Sequence, residues 1–314
     1  MAPRLLHIGI FNDKEPQWSL RNALKEISSV YIEYDWQTIR HQVNQIILQH
    51  SNNVDVIFLQ LQCGGVVSPS VLETVKHKVK IFNFTGDVRQ PLPKWYIDLA
   101  PHCTTLFTNN TDVEYLQSLG HKAVYFQIGY NSEFYTYMGD RYLVAPDIVF
   151  MGNHYPGAFP LSQFRYDMVT FLQKEYGERF RVYGKGYPGA IDLNYKQREE
   201  ANVYRSASIG INCSHFNLKQ YSSDRMLRIM ACGCFCLSHR FEDIDKEFSE
   251  GIHLRSWQTL EELKILIDYY LDNHNERNKI AAAGMDLVRT QYTWDYRIRN
   301  QFLQLINEKN ATEL

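Results

Sequence analysis

Short apolar runs alternate with helical patterns along the chain, and this alternation begins afresh near Asp147. In the first half, residues 5–11, 30–34, 54–61, 80–84, 104–108 and 123–126 read as strands, and 18–27, 39–50, 71–77 and 112–119 as helices. Gly120 stands where a helix commonly ends on a left-handed residue. Residues 54–61 are apolar in character, as expected of a parallel strand covered on both faces. In the second half, residues 148–151, 179–183, 209–212 and 235–238 read as strands. Helical patterns fall at 162–176, 198–206, 224–232, 260–273, 276–292 and about 294–308. Such alternation predicts an α/β chain with doubly wound parallel sheets. Residues 131–146, which hold Tyr, Gly and Pro without a clear period, are the expected joint between two domains.

A length of 314 residues suits two domains, each with a sizeable core. Lys and Arg number 33 and Asp and Glu 35, a formal net charge of −2. That balance excludes the broad basic field of a generic nucleic-acid or membrane-surface binder, but not a local basic groove. Six cysteines, three of them in Cys232-Gly-Cys234-Phe-Cys236, do not form a secreted disulfide pattern. No long apolar stretch opens the chain, and none approaches the ~20 residues that span a bilayer. The expectation is a cytoplasmic protein.

Ligands of open α/β sheets sit beyond the carboxyl ends of the strands. The informative residues are therefore Asn12-Asp13, Cys63-Gly-Gly65, Thr85-Gly-Asp87-Val-Arg89, Gly152-Asn-His154, Gly184-Lys-Gly186 and Cys213-Ser-His215. Two sheets facing across a cleft would bring them together. Ser222, Ser223 or Asp224 can cap the helix that follows, and a helix amino terminus favours an anion. Arg225 and Arg228, three apart, share a helix face. They serve a phosphate or, equally in keeping with the sequence, pair with carboxylates on a surface helix. Gly184-Lys185-Gly186 suits either a close backbone approach to phosphate or a plain turn. Asp87 is a candidate general base, with Asp13 second; either can instead hold its own turn. No zinc spacing, Walker A loop, dinucleotide fingerprint or nucleophile elbow occurs, so no metal site and no cofactor are expected.

Several pieces recur in a telling order. They are Phe150-Met-Gly-Asn153, Phe164-Arg165, Phe180-Arg-Val-Tyr-Gly-Lys-Gly186, Ala207-Ser-Ile-Gly-Ile-Asn212, Ser223-Asp-Arg225 and Ala231-Cys-Gly233. Gly251-Ile-His-Leu, Asn275-Glu-Arg-Asn-Lys-Ile-Ala-Ala-Ala-Gly284 and Tyr292-Thr-Trp294 with Arg297 follow. This series, over about residues 147–300, resembles the glycosyltransferase group 1-like family that includes the spore-maturation protein CgeB, within the GT-B glycosyltransferases. The resemblance implies two Rossmann-like domains facing across a cleft. An acceptor domain would span residues 1–135, a nucleotide-sugar donor domain 146–293, and the helix from 294 to 314 would pack back on the first. It implies donor contacts from Gly152, Asn153, Tyr183, Gly184, Lys185, Gly186, Ser222, Ser223, Asp224, Arg225 and Arg228. It also implies that no catalytic metal is needed, because a helix dipole and basic side chains neutralise the leaving diphosphate. Related donor domains often carry a Glu three residues after this arginine, where Arg228 stands here.

The expected activity is transfer of a sugar from a nucleotide-diphosphate donor to an acceptor hydroxyl on a glycan, a protein or a small molecule. Two alternatives stand beside it. One is a catalytically inactive nucleotide-sugar-binding or assembly protein of the same fold, since fold does not imply function. The other keeps the chemistry and makes the acceptor a modified DNA base.

Overall fold

The computed structural model describes residues 1–11, 18–136, 145–193 and 197–308. The chain divides into two compact units, one of Met1–Gly129 with Trp294–Leu314 and one of Tyr130–Thr293.

The first unit is built on a parallel sheet of β1 (Arg4–Gly9), β2 (Val30–Asp35), β3 (Val56–Leu59), β4 (Lys80–Thr85), β5 (Thr104–Phe107) and β6 (Ala123–Tyr125), in the order β2-β1-β3-β4-β5-β6. Leu6 of β1 stands opposite both Ile32 and Ile57. Nearly every residue of β1, β3, β4 and β5 is buried, because helices cover both faces. The helices are α1 (Trp18–Ile27), α2 (Val43–His50), α3 (Pro69–Val75), α4 (Lys94–Leu99) and α5 (Asn110–Ser118). Leu6, Ile57, Leu59 and Ile81 pack with Val43, Ile47 and Leu72 on one face.

The chain's last helical stretch closes the other face. It comprises α12 (Trp294–Arg297), a π turn (Ile298–Phe302) and α13 (Leu303–Asn307). The Phe302 ring meets Phe58 at 5.2 Å and Phe82 at 4.9 Å, and Trp294 meets Phe84 edge-on at 5.7 Å. Lys80 at the start of β4 donates to the carbonyls of Ile306 and Glu308, at 2.6 and 2.5 Å, and so caps the end of this stretch.

The second unit begins with α6 (Ser132–Tyr135) and a parallel sheet of β7 (Ile148–Met151), β8 (Phe180–Tyr183), β9 (Ile209–Asn212), β10 (Phe235–His239) and β11 (Arg255–Trp257). The order is β11-β10-β9-β7-β8. The main helices are α7 (Ser162–Tyr176), α8 (Gln197–Ser206), α9 (Asp224–Ala231), α10 (Leu260–Asp272) and α11 (His274–Gln291). Residues 130–135 go with this unit for local reasons. Tyr130 N–H donates to Tyr292 O at 3.1 Å, and Arg205 donates to Phe134 O at 3.0 Å. The connection from β7 goes to β8 on one side, whereas β9 lies on the other. The strand order therefore reverses between β7 and β9, and their carboxyl ends border a crevice.

Several features depart from the sequence expectations. Helix α2 starts at Val43 rather than 39, because Asp35 holds a turn through Gln37 N–H at 2.9 Å and Thr38 Oγ1 at 2.8 Å. Helix α4 was not expected after Pro91 and Pro93, yet Pro93 occupies its N-cap, a place that needs no N–H. Strand β11 is three residues long, too short for a period to register. Most of the expected 131–146 joint, residues 137–144, lies outside the described residues.

Buried His7 of β1 contacts Tyr31 Oη at 2.9 Å through Nδ1 and Gln60 Oε1 at 3.3 Å through Nε2. Burial lowers its pKa to about 3, with Gln60 opposing the shift. The unfolded chain then binds more protons between about pH 6.5 and 3, so stability falls as pH drops through that window. We expect His7→Asn to flatten the acid side of the stability curve, removing a slope that approaches about 1.4 kcal/mol per pH unit. Urea unfolding at a series of pH values measures it, and parallel curves for variant and wild type would contradict it.

Candidate functional site

A cleft of ≈ 300 Å³ opens at the crevice of the second sheet. Gly152 and Asn153 line it after β7, Tyr183 and Gly184 at the end of β8, and Asp224, Arg225 and Arg228 from α9. The two loops beyond β7 and β8 are laced together. Gly152 N–H donates to Tyr183 O at 2.8 Å, His154 N–H to Lys185 O at 2.8 Å, and Lys185 N–H to Asn153 Oδ1 at 2.9 Å. Gly184 has φ +132°, and a Cβ there would stand 2.2 Å from Gly152 O. Its glycine is required by the approach of one loop to the other.

Arg225 ties the ends of β7 and β9 together. Its Nε donates to Met151 O, and its Nη1 donates to Cys213 O at 3.0 Å. The side chain is half-buried, with those two nitrogens given to main-chain carbonyls at the ends of the strands. Its Nη2 points at Gly152, 2.9 Å from where a Cβ would stand.

A second guanidinium converges on the same glycine. Arg165, in the first turn of α7, is fully buried, and its Nη2 lies 2.5 Å from that Cβ position. No described residue accepts a well-formed hydrogen bond from its three guanidinium nitrogens, although the buried Tyr187 hydroxyl adjoins it and favours its charge. Burial, and then the charge of Arg225, lower its pKa to about 10, so it stays charged at neutral pH. His154 Nδ1, Ser214 Oγ and His215 Nδ1, on the loops after β7 and β9, are likewise buried with no hydrogen-bond partner among the described residues. Burial and the charges of Arg165 and Arg225 lower the His215 pKa to about 3, so its imidazole is neutral.

Helix α9 presents its amino terminus here. Ser223 occupies the N-cap without capping, and its Oγ instead donates to Asn212 Oδ1 at 2.7 Å. Ser222 and Ser223 are buried and do not line the cleft. Arg228 lines it but is held by Asp224 at 2.5 Å and Glu200 at 3.3 Å. Burial opposes its charge, and Asp224 and Glu200 outweigh it, holding the pKa above the usual range. Lys185 pairs with Asp192 at 3.3 Å and stands outside the lining with Gly186. Asp87 lies in the first unit, beyond β4. Its carboxylate is 3.7 Å from Arg89 and largely exposed, and its carbonyl accepts from Thr85 Oγ1 at 2.9 Å. Asp13 lies outside the described residues.

Residues 165–303 match the glycosyl transferase-like family. Solved structures align over nearly the whole chain. An α-glucosyltransferase solved with UDP-glucose and DNA containing an abasic site has a TM-score of 0.69 at 10% identity, over 98% of this chain and 100% of that one. HepE of Anabaena, solved with UDP and glucose, gives 0.62 at 8% identity, over 96% and 99%. Sucrose-phosphate synthase of Thermosynechococcus elongatus gives 0.62 at 11% identity, over 96% and 98%. The fold is GT-B. No curated protein sequence matches the chain.

Within this GT-B fold the most informative side chain, Arg165, appeared in the sequence only as the partner of Phe164 at a helix start. Burial, which the local pattern does not reveal, sets it apart. Gly152→Ala tests the convergence directly, because a Cβ would displace both Nη2 groups. We expect a native circular-dichroism spectrum and at least about tenfold weaker binding of inorganic pyrophosphate in calorimetry. Wild-type affinity would show that no anion meets the guanidiniums there.

Proposed function

We propose that the protein is a glycosyltransferase that moves a sugar from a nucleotide-diphosphate donor to an acceptor hydroxyl. The observation that carries this is Arg165, a buried guanidinium with no well-formed hydrogen bond to a described residue, beside Arg225 and the uncapped end of α9. A buried unpaired charge is costly, and a bound anion removes the cost. Arg225 in the cleft lining, Arg165 buried against the same Gly152 and the start of α9 beside them suit a diphosphate. The neighbouring folds solved with UDP or UDP-glucose support the same donor class.

In the proposed reaction the acceptor oxygen attacks the anomeric carbon and the bond from that carbon to the diphosphate oxygen breaks. The electron pair leaves on the diphosphate, and the acceptor proton passes to a base, for which we propose Asp87. Negative charge grows on the leaving oxygen in the transition state, where Arg165, Arg225 and the α9 N–H groups bind it more strongly. Neutralisation by these groups makes transfer independent of a divalent metal in this proposal, so activity is expected to persist in EDTA. Complete loss in chelator, restored by Mg²⁺ or Mn²⁺, would assign that role to an ion.

Binding and turnover of UDP-, GDP-, ADP-, CDP- and dTDP-sugars test the proposal. Thermal shift reports donor binding, because a ligand of the native state raises its stability. Nucleotide release separates a transferase from an inactive binding protein of the same fold. Arg165→Met gives a two-sided expectation. The apo protein should be at least as stable as wild type, since an unpaired buried charge is removed. Nucleoside-diphosphate binding should weaken by roughly 1.5–3 kcal/mol. A variant that loses stability and binds normally would make Arg165 a structural residue. Asp87→Asn should lower turnover about 10²–10⁴-fold with donor affinity preserved, and unchanged turnover would remove Asp87 as the base.

A further inference from the structure

The amino-terminal edge of the first unit's sheet carries a groove of ≈ 870 Å³. Lys76, His77 and Lys78 approach it from the turn after α3, and Lys80 from the start of β4. His121 and Lys122 approach from the turn before β6, and His102 from the turn before β5. The segment Lys76-His-Lys-Val-Lys80 is a dense run of basic residues in a chain whose formal net charge is −2.

The nearby carboxylates cancel only part of this charge. Asp55 is taken by Arg4 at 2.7 Å, and Glu73 is shared between Lys76 at 2.6 Å and His102 at 2.7 Å. Glu308 reaches Lys122 only at 3.9 Å. Lys78 Nζ donates to the neutral Asn52 at 3.1 Å, and Lys80 Nζ to main-chain carbonyls. Burial, and then repulsion from Lys122, lower the Lys80 pKa. The groove thus gathers more cations than carboxylates, and among the described residues Lys78 and Lys80 form no ion pair of their own.

We propose that this groove binds the phosphate backbone of a single nucleic-acid strand. The inference is independent of the donor chemistry, because the groove lies at the opposite end of its strands from Asp87. Separated point charges along a concave path suit phosphates spaced along a flexible strand. His77, which is exposed, and half-buried His121 offer ring faces on which bases stack. A flat bilayer does not follow a concave groove. An acidic peptide would find strand ends here, not a free sheet edge on which to add a strand. A strand held here would lie about 20 Å, the length of a six-residue strand, from the carboxyl edge. The groove therefore anchors a nucleic acid and does not itself present an acceptor.

Fluorescence anisotropy with labelled oligo(dT) and oligo(rU) of about 20 nucleotides tests this. Wild type should bind at low salt, with log affinity falling against log salt at a slope near −3, about 0.7 for each of four lysines. Lys78→Glu with Lys122→Glu should weaken binding at least about tenfold. Lys25→Glu with Lys279→Glu, the same charge change elsewhere, should leave affinity nearly intact. Lys78→Gln with Lys122→Gln gives a milder replacement should the glutamates unfold the chain, with thermal melts checking the fold. Absence of oligonucleotide binding by wild type would overturn the proposal. So would equal losses in groove and control variants, or binding of phosphatidylserine vesicles without binding of either oligonucleotide.

Discussion

A charged group that no described residue of the second unit pairs with is the constraint around which that unit's site is arranged. Arg165 sits against Gly152 with Phe150 beneath it, its guanidinium carbon 5.3 Å from the ring centroid. Contact with an aromatic face recovers only part of what a cation loses on leaving water. The described neighbours give the charge space and, in the adjoining Tyr187 hydroxyl, only weak compensation. Gly152 has no side chain to intrude, Arg225 is held back by the carbonyls of Met151 and Cys213, and Gly184 lets the loop after β8 close over Gly152. Hydrogen bonds thereby fix the positions of groups whose own charge remains unanswered. Such a site pays the cost of organisation during folding, so little rearrangement remains when charge develops on a ligand.

The sequence made the strands legible for the reason that fixes the sheet type. A parallel strand covered on both faces must be apolar almost throughout, and residues 148–151 and 209–212 are so fully buried that a short apolar run suffices to locate them. Helix ends were less legible, because side chains elsewhere decide them. The turn held by Asp35 delays α2, and Ser223 caps nothing because Asn212 takes its hydroxyl. The π turn at Ile298–Phe302 likewise interrupts a pattern that reads as one continuous helix.

The arginines show where local pattern stops. Arg225 and Arg228 stand three apart and share a helix face by spacing alone. Their surroundings differ because different elements meet them. Strand-end carbonyls of β7 and the segment after β9 take Arg225, whereas Glu200 of α8 joins Asp224 in taking Arg228. The departure at Arg228, where related domains often have Glu, therefore leaves the cleft with carboxylates beside it. Glu200 and Asp224 both line the cleft next to the arginine. Local chemistry there is a triad of one cation and two anions, a different environment from the isolated positive charge that the residue's name suggests.

Net charge misleads for a related reason. A formal −2 is an average over 314 residues, and the fold sorts what the average mixes. Opposite charges brought together, as in Arg228 with Glu200 and Asp224, act only at short range. Like charges brought together, as in Lys78, Lys80 and Lys122, produce a field that reaches about a Debye length, roughly 8 Å at physiological salt. The same composition can therefore give a chain with no long-range attraction for anions, or one with a local basic groove, depending on which side chains the topology juxtaposes. In this chain the juxtaposition follows from the parallel sheet. Strands that all run the same way bring the turns entering β4, β5 and β6 to one edge, and those turns carry Lys76–Lys80, His102 and His121-Lys122. An antiparallel arrangement would divide the same turns between two edges and disperse the charge. The groove is in this sense a consequence of strand direction acting on basic residues that the chain places before its strands.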